Sequence, residues 1–343
     1  TGPRGLMDIV AELIAKVRGQ GRCVVFAEGT EERVLAAAGR LVEHDIARPL
    51  LVGPAAEVAA AAAAAGLATN DVRIADPAET DLEQLAQSYA QGPRRLEAKL
   101  ARRLLRKPLH FAAAMVAQGK ADALVAGVAN PTRRVIEAGL MAIGLADGIE
   151  TPSSFFVMEI PGHGGGQDRV LLFADCAVTV EPTARELADI ALASAASARL
   201  LLDQPPRLAL LSFSTHGSAQ HARIDKVRAA LERLRELAPE LAVDGELQAD
   251  AALSPAVAAH KVRRLSAVAG QANVLIFPDL DAGNIGYKLS QIMSGGRAIG
   301  PILQGFAKPL ADLSRGASVD EIVAASAVTL SLAAATGGAT GGS

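Results

Sequence analysis

The stretch CVVFAEGTEERVLAAAGRLVEHDIARPLLV, residues 23–52, decides the fold. CVVFAEG (23–29) opens on an unbroken apolar run and reads as a strand covered on both faces. ERVLAAAGRLVEHD then places its apolar residues three and four apart, which predicts a helix. RPLLVG returns to an apolar, strand-like run. Strand, helix, strand is a crossover unit, and it implies parallel neighbours in one sheet.

The same rhythm extends outward. AEVAAAAAAAG predicts a second helix, VRIAD (72–76) a third short strand, and residues 81–118 are mostly helical before ADALVAG (121–127) returns to strand. From Ser153 the rhythm changes. SFFVMEI and RVLLFADCAV read as strands separated by PGHGGGQD, a hairpin turn. Alternation then resumes with a helix over 183–201, the strand RLALLSFS, a helix over 221–237, the strand LAVDGEL and a helix over 254–264. NVLIFPDL, a helix at NIGYKLSQI, the strand RAIGPIL and a final helix from Ser318 complete the chain. The fold class expected is α/β: two lobes of mainly parallel sheet covered by helices, with an active-site cleft between them. The ADGIETP turn marks the boundary, giving a first domain of 1–148 plus 304–343 and a second of 149–303.

The chain has 343 residues, half of them apolar, yet aromatics are 3% and Trp is absent, so the core is expected to be aliphatic. A net charge of −3 offers nucleic acid no general attraction. Cys23 and Cys176 both sit in apolar runs, as buried small hydrophobes do. The alanine tract is too short and too weakly apolar to span a bilayer, and no signal-peptide pattern opens the sequence. A soluble cytoplasmic protein is the expectation.

Polar chemistry concentrates at four strand ends. LLSFSTHGS offers Ser212, Ser214 and Thr215 just before a helix, either to hold an anion or carbonyl oxygen or simply to cap that helix. FPDLDAGNIGYK reads as a Gly-rich turn with Asp281, Gly283, Asn284 and Lys288; Gly283 would let a ligand approach the backbone, and Asp281 is also a possible cap. VAGVANPTRR brings Asn130, Thr132, Arg133 and Arg134, of which at most one Arg should face a ligand. GPILQGFAKPLADLSRG ends in Ser314 and Arg315. In open parallel sheets ligands gather at the carboxyl ends of strands. HGGG lacks a GxSxG partner, and no P-loop, HExxH or paired CxxC is present. His216 and His221, five apart, are a weak metal signal and read as surface or capping residues. Hydroxyls, amides and Arg without a nucleophile–base pair suit positioning a phosphorylated or acyl-phosphate group for attack by a second substrate.

At these same residues the chain resembles the phosphate acetyltransferase (phosphotransacetylase) family. The resembling blocks are VVFAEGTEERVLAAA, RVLLFADCAV, LLSFSTHGSA, LAVDGELQADAAL, GQANVLIFPDLDAGNIGYK and GPILQGFAKPLADLSRG, in order, over about residues 22–335. The resemblance implies a two-domain homodimer with acetyl phosphate and coenzyme A as substrates and no metal or redox cofactor. It assigns Ser314 and Arg315 to the acyl phosphate. The general-base slot, six residues beyond that Arg, holds Glu321, with Asp320 beside it. Ser318 and Glu321 also have capping-box spacing, so a purely structural role stays open. The family's substrate Arg falls on Arg134 or Arg133, its other Arg on Arg94 or Arg95, and its Lys in the SFSTKGS block is replaced by His216. Two further readings stand beside this one: a phosphate propionyl- or butyryltransferase, and a non-catalytic acyl-CoA-sensing module. A metal- or NAD-linked dehydrogenase of similar two-lobed form would need a cluster of Asp ligands that the sequence does not offer.

Overall fold

A computed structural model describes residues 8–68, 70–162 and 167–337. The described chain divides into two compact units, one of 10–147 with 300–337 and one of 148–299 with residues 8 and 9. The described part of the chain opens with α1 (Ile9–Val17), which the sequence pattern does not assign. It continues through β1 (Cys23–Phe26), α2 (Glu32–Glu43), β2 (Arg48–Val52), α3 (Ala55–Ala64), β3 (Arg73–Ala75), α4 (Glu83–Gln91), α5 (Ala98–Leu105), α6 (Pro108–Ala117), β4 (Ala123–Ala126) and α7 (Thr132–Ala142). The second unit holds β5 (Ser153–Ile160), β6 (Arg169–Ala174), α8 (Ala184–Leu201), β7 (Arg207–Leu211), α9 (Ala222–Leu237), β8 (Ala242–Leu247), α10 (Ala249–Leu253), α11 (Pro255–Lys261), β9 (Val274–Ile276) and α12 (Leu280–Ser294). The chain then returns through β10 (Arg297–Gln304), β11 (Leu310–Asp312) and α13 (Val319–Gly337).

In the first unit β1 lies between β2 and β4, β3 extends the β2 side, and β11 pairs with β4, all parallel. β10 joins β11 antiparallel through Ile302 and Leu303. The order β3-β2-β1-β4-β11-β10 therefore puts the carboxyl ends of β1, β4 and β11 on one edge. β1 and β4 are buried along their whole length, as the unbroken apolar runs predict. α13 is apolar nearly all round and packs on α2 and β4. Its buried Ser326, Thr329 and Ser331 donate back to the carbonyls of Ile322, Ala325 and Ala327, so none adds an unmet polar group to the core.

In the second unit β5 and β6 form the expected antiparallel hairpin. Its connecting loop, including the HGGG motif at 163–166, lies outside the described residues. β6, β9, β7 and β8 follow in parallel. The core is aliphatic with a few Phe rings, and Phe156 stacks on Tyr287 at 4.1 Å. Cys176 is buried here and Cys23 in the first unit.

Three expectations are corrected. The helix expected over 254–264 is shorter: Ser254 caps α11 through Val257 N–H, and the helix stops at Lys261. The Gly-rich segment after NVLIFPDL is not a turn but the start of α12, capped by Asp279 rather than Asp281. Between β10 and Ser314 the chain makes a further strand, β11, which its three residues were too few to signal.

Candidate active site

In the first unit Glu28 follows β1, Asn130 and Thr132 follow β4, and Ser314 follows β11, so parallel pairing gathers them on one edge. Asn130 donates through Nδ2 to Glu28 Oε1 at 2.7 Å, and the Gly127 and Ala129 N–H groups reach the same oxygen at 2.9 and 3.4 Å. Thr132 donates to Asp312, the last residue of β11. Gly127 has φ +116°, and a Cβ on it would fall 2.5 Å from both Asp312 Oδ1 and Leu313 N, so only glycine lets the two strand ends close. No sequence motif assigns a site role to Glu28 or Asp312.

Ser314 and Arg315 are exposed on the turn that leaves β11. Ser314 Oγ accepts from Gly316 N–H at 3.2 Å. Arg33 Nη1 donates to the carbonyls of Arg315 and Ala317, both at 2.9 Å, and pins the turn by its main chain. Arg133 and Arg134 are both exposed on the first turn of α7, and Arg94 and Arg95 are exposed between α4 and α5. Of the two base candidates, Asp320 pairs with Arg40. Glu321 forms the capping box: its carboxylate accepts from Ser318 N–H at 2.7 Å while Ser318 Oγ accepts from Glu321 N–H at 3.2 Å.

The second unit treats its polar residues differently. Ser214 Oγ donates to Glu246 at 2.8 Å, and Thr215 exchanges hydrogen bonds with Gln248. Ser212 Oγ accepts from Ser214 N–H. Glu246 also accepts from Arg228 and Gly217 N–H. Burial would push its carboxyl up, but these donors outweigh that and hold it at about 2. His216 is not a surface group; it is bonded to buried Asp244 at 3.1 Å, with Arg264 on the same oxygen. His221 is the N-cap of α9, as expected of a capping His. Beside them lies a cavity of about 610 Å³ lined by Arg228, Arg235, Lys261, Arg263 and Arg264, residues no sequence motif had marked.

Within DAGNIGYK, Gly283 and Asn284 make contacts inside the fold. A Cβ on Gly283 would sit 2.1 Å from the Asp175 carbonyl oxygen, so the close approach is to the protein's own backbone and not to a ligand. Asn284 donates to the Cys176 carbonyl, Asp281 is exposed, and Lys288 is an exposed cation 5.1 Å from the Tyr287 ring centre. Among the described residues no three His, Cys, Asp or Glu side chains group as a metal site, and no helix is long and apolar enough to cross a membrane.

Guanidinium groups and a hydroxyl exposed at the carboxyl ends of parallel strands define an α/β enzyme that handles an oxyanion-bearing substrate. Comparison with known proteins narrows the class. The family model described as phosphate acetyl/butaryl transferase matches residues 8–330. The phosphate acetyltransferase of Clostridium acetobutylicum is 42% identical over 94% of this chain and 98% of its own length. That of Thermoanaerobacterium thermosaccharolyticum is 43% identical, with the same coverage of each chain. A phosphotransacetylase structure from Streptococcus pyogenes, 39% identical, superposes with TM-score 0.90 over 97% of this chain and all of its own. The chain belongs to the phosphate acetyl/butaryl transferase family and is an acyltransferase.

Proposed function

We propose that the protein transfers an acetyl group reversibly between acetyl phosphate and coenzyme A, by direct attack of the thiol within a ternary complex. The observation that carries this reading is the Ser314–Arg315 turn: Arg33 anchors its main chain while both side chains stay open to a ligand. In the scheme Glu321, or Asp320 beside it, accepts the thiol proton. The sulfur attacks the acetyl carbonyl carbon and forms the C–S bond, and Ser314 donates to the developing oxyanion. The C–O bond to phosphorus then breaks and its electron pair leaves with phosphate, whose charge Arg315 and Arg134 (or Arg133) neutralise, with Arg94 or Arg95 as a further anion contact. Ser212, Ser214, Thr215, Asp281, Gly283, Asn284 and Lys288 have weaker support as binding residues, since most already serve other protein groups or the solvent.

No metal or redox cofactor enters this scheme, so a chelator should leave turnover unchanged. Thioester formation from acetyl phosphate and coenzyme A tests the reaction directly. A series of propionyl and butyryl phosphates tests the alternative acyl chains, and silence across the series would sink the proposal. The sensing-module reading draws on one observation, that Glu321 is folded onto Ser318 and Asp320 is held by Arg40. Coenzyme A binding without turnover would favour it.

We also infer a homodimer. Ile285, Leu289, Ile292 and Met293 form an apolar stripe on α12, each more than half exposed, at the spacing of one helix face. Ile292→Asp should shift sedimentation to the monomer, and an unchanged dimer would remove the stripe from the interface. A cytoplasmic site of action is part of the same proposal, testable by fractionation.

A further inference from the structure

The cavity beside the ends of β7 and β8 carries cations that the acyl-transfer scheme does not use. It measures about 610 Å³, within the range of small-molecule sites. Its wall gathers Arg228 and Arg235 of α9 with Lys261, Arg263 and Arg264 at and beyond the end of α11. Four of these five cations have a carboxylate. Arg228 forks onto Glu246, Arg264 meets Asp244, Lys261 meets Asp250, and Arg235 reaches Glu232 on its own helix. Arg263 is exposed and meets no acceptor among the described residues.

The wall is fixed from behind. Glu246 is 1% exposed and Asp244 4%, so the guanidiniums they hold are tied to the interior. Burial opposes ionisation of both carboxyls, but the hydrogen bonds they collect hold Glu246 at about 2 and Asp244 below the ordinary carboxylate range. Arg264 spends only Nη2, on Asp244, His216 and the Gly245 carbonyl. Its Nε and Nη1 hydrogens are left for a ligand, and a guanidinium already held in place loses little freedom in taking one.

The backbone offers an anion nothing here. In the turn at 215–218 the Thr215 N–H goes to Ser218 Oγ, those of His216 and Gly217 to Glu246, and that of Ser218 to the Thr215 carbonyl. Side chains must therefore carry the charge. Three guanidiniums from two segments can meet more oxygens than a planar carboxylate presents, whereas a phosphoryl group offers three. No Phe or Tyr ring lines the cavity, Leu231 is its one large aliphatic side chain, and Thr215 and Ser218 bring hydroxyls. That wall suits a hydroxyl-bearing body better than a purine base, which needs a flat apolar face.

We propose that this cavity binds a phosphorylated sugar or polyol, its phosphoryl group held by Arg263 together with Arg264 and Arg235. The site lies in the second unit, whereas Ser314 and Arg315 belong to the first, and it does not depend on the acyl-transfer reading.

Calorimetric titration of the full chain with glucose 6-phosphate, ribose 5-phosphate and glycerol 3-phosphate, at fixed ionic strength, tests it. At least one of the three should saturate a single site per chain, while glucose and glycerol do not bind and succinate binds more weakly. Arg263→Ala should weaken that binding about tenfold, the loss of a charge-assisted hydrogen bond. Because Arg263 has no protein partner to lose, its melting temperature should stay that of the natural protein. Arg264→Lys keeps a charge beside Asp244 but loses the planar fork, and should also weaken binding. Arg315→Ala should bind the same compound unchanged. Silence of all three phosphates, undiminished affinity in Arg263→Ala, or binding abolished by Arg315→Ala would each overturn the proposal. Succinate bound as tightly as the sugar phosphate would overturn the phosphoryl assignment. The titration uses neither acetyl phosphate nor coenzyme A, so a failed thioester assay bears on the acyl-transfer reading alone.

Discussion

Glu246 and Asp312 are both 1% exposed, and both lie near the carboxyl end of a parallel strand. Their environments drive them in opposite directions. Glu246 collects Arg228, Ser214 and Gly217 N–H and is held down at about 2; Asp312 has Thr132 and the charge of Glu28 and is pushed up to about 6. The difference marks two uses of a strand end. Around Glu246 the hydroxyls and guanidinium are spent on one another. Around Asp312 they are left unspent, with Ser314, Arg315, Arg133 and Arg134 facing solvent.

The comparison breaks if the exposed turn turns out to be the structural region. Arg315→Ala should lower kcat/KM on the order of 10³-fold, about 4 kcal/mol in the barrier, with the melting temperature unchanged. Ser314→Ala should follow at about 10²-fold. Glu246→Ala should instead cost about 3 kcal/mol of stability, read from urea unfolding, because it strands buried donors from Ser214 and Gly217.

Acid sharpens the same contrast. Glu246 is depressed in the folded state, so its contribution is present above the ordinary value near 4.5 and is lost as pH falls through about 2. A Glu246→Gln variant should lack that acid-side loss; a matching decline in both proteins would remove Glu246 as its source. The smallest expected effect is at the helix cap. Ser318→Ala should cost about 1 kcal/mol of stability, measured by thermal unfolding.

Much of this was legible in sequence because parallel strands buried on both faces announce themselves. CVVFAEG, RPLLVG and ADALVAG each hold an unbroken apolar run, and the strands form on those runs while Ala27–Gly29, Gly53, Ala121, Asp122 and Gly127 fall outside them. The Ser318–Glu321 spacing was equally readable, because a capping box is entirely local. What escaped depended on partners distant in sequence. Glu28 and Asp312 are 284 positions apart, and nothing local in FAEG or LADLSRG says that a glycine at 127 brings them together. Leu310–Asp312 is a strand only because β4 and β10 pair with it. DAGNIGYK misled for the converse reason: its glycines resemble a ligand loop but answer to Asp175 and Phe277 inside the fold.

Gly283 carries one more consequence. With the Asp175 carbonyl seated where a side chain would start, α12 can meet the sheet at a single rotational phase. That phase is what turns Ile285, Leu289, Ile292 and Met293 outward together. A glycine hidden beneath the helix thus sets which apolar side chains it turns to the outside.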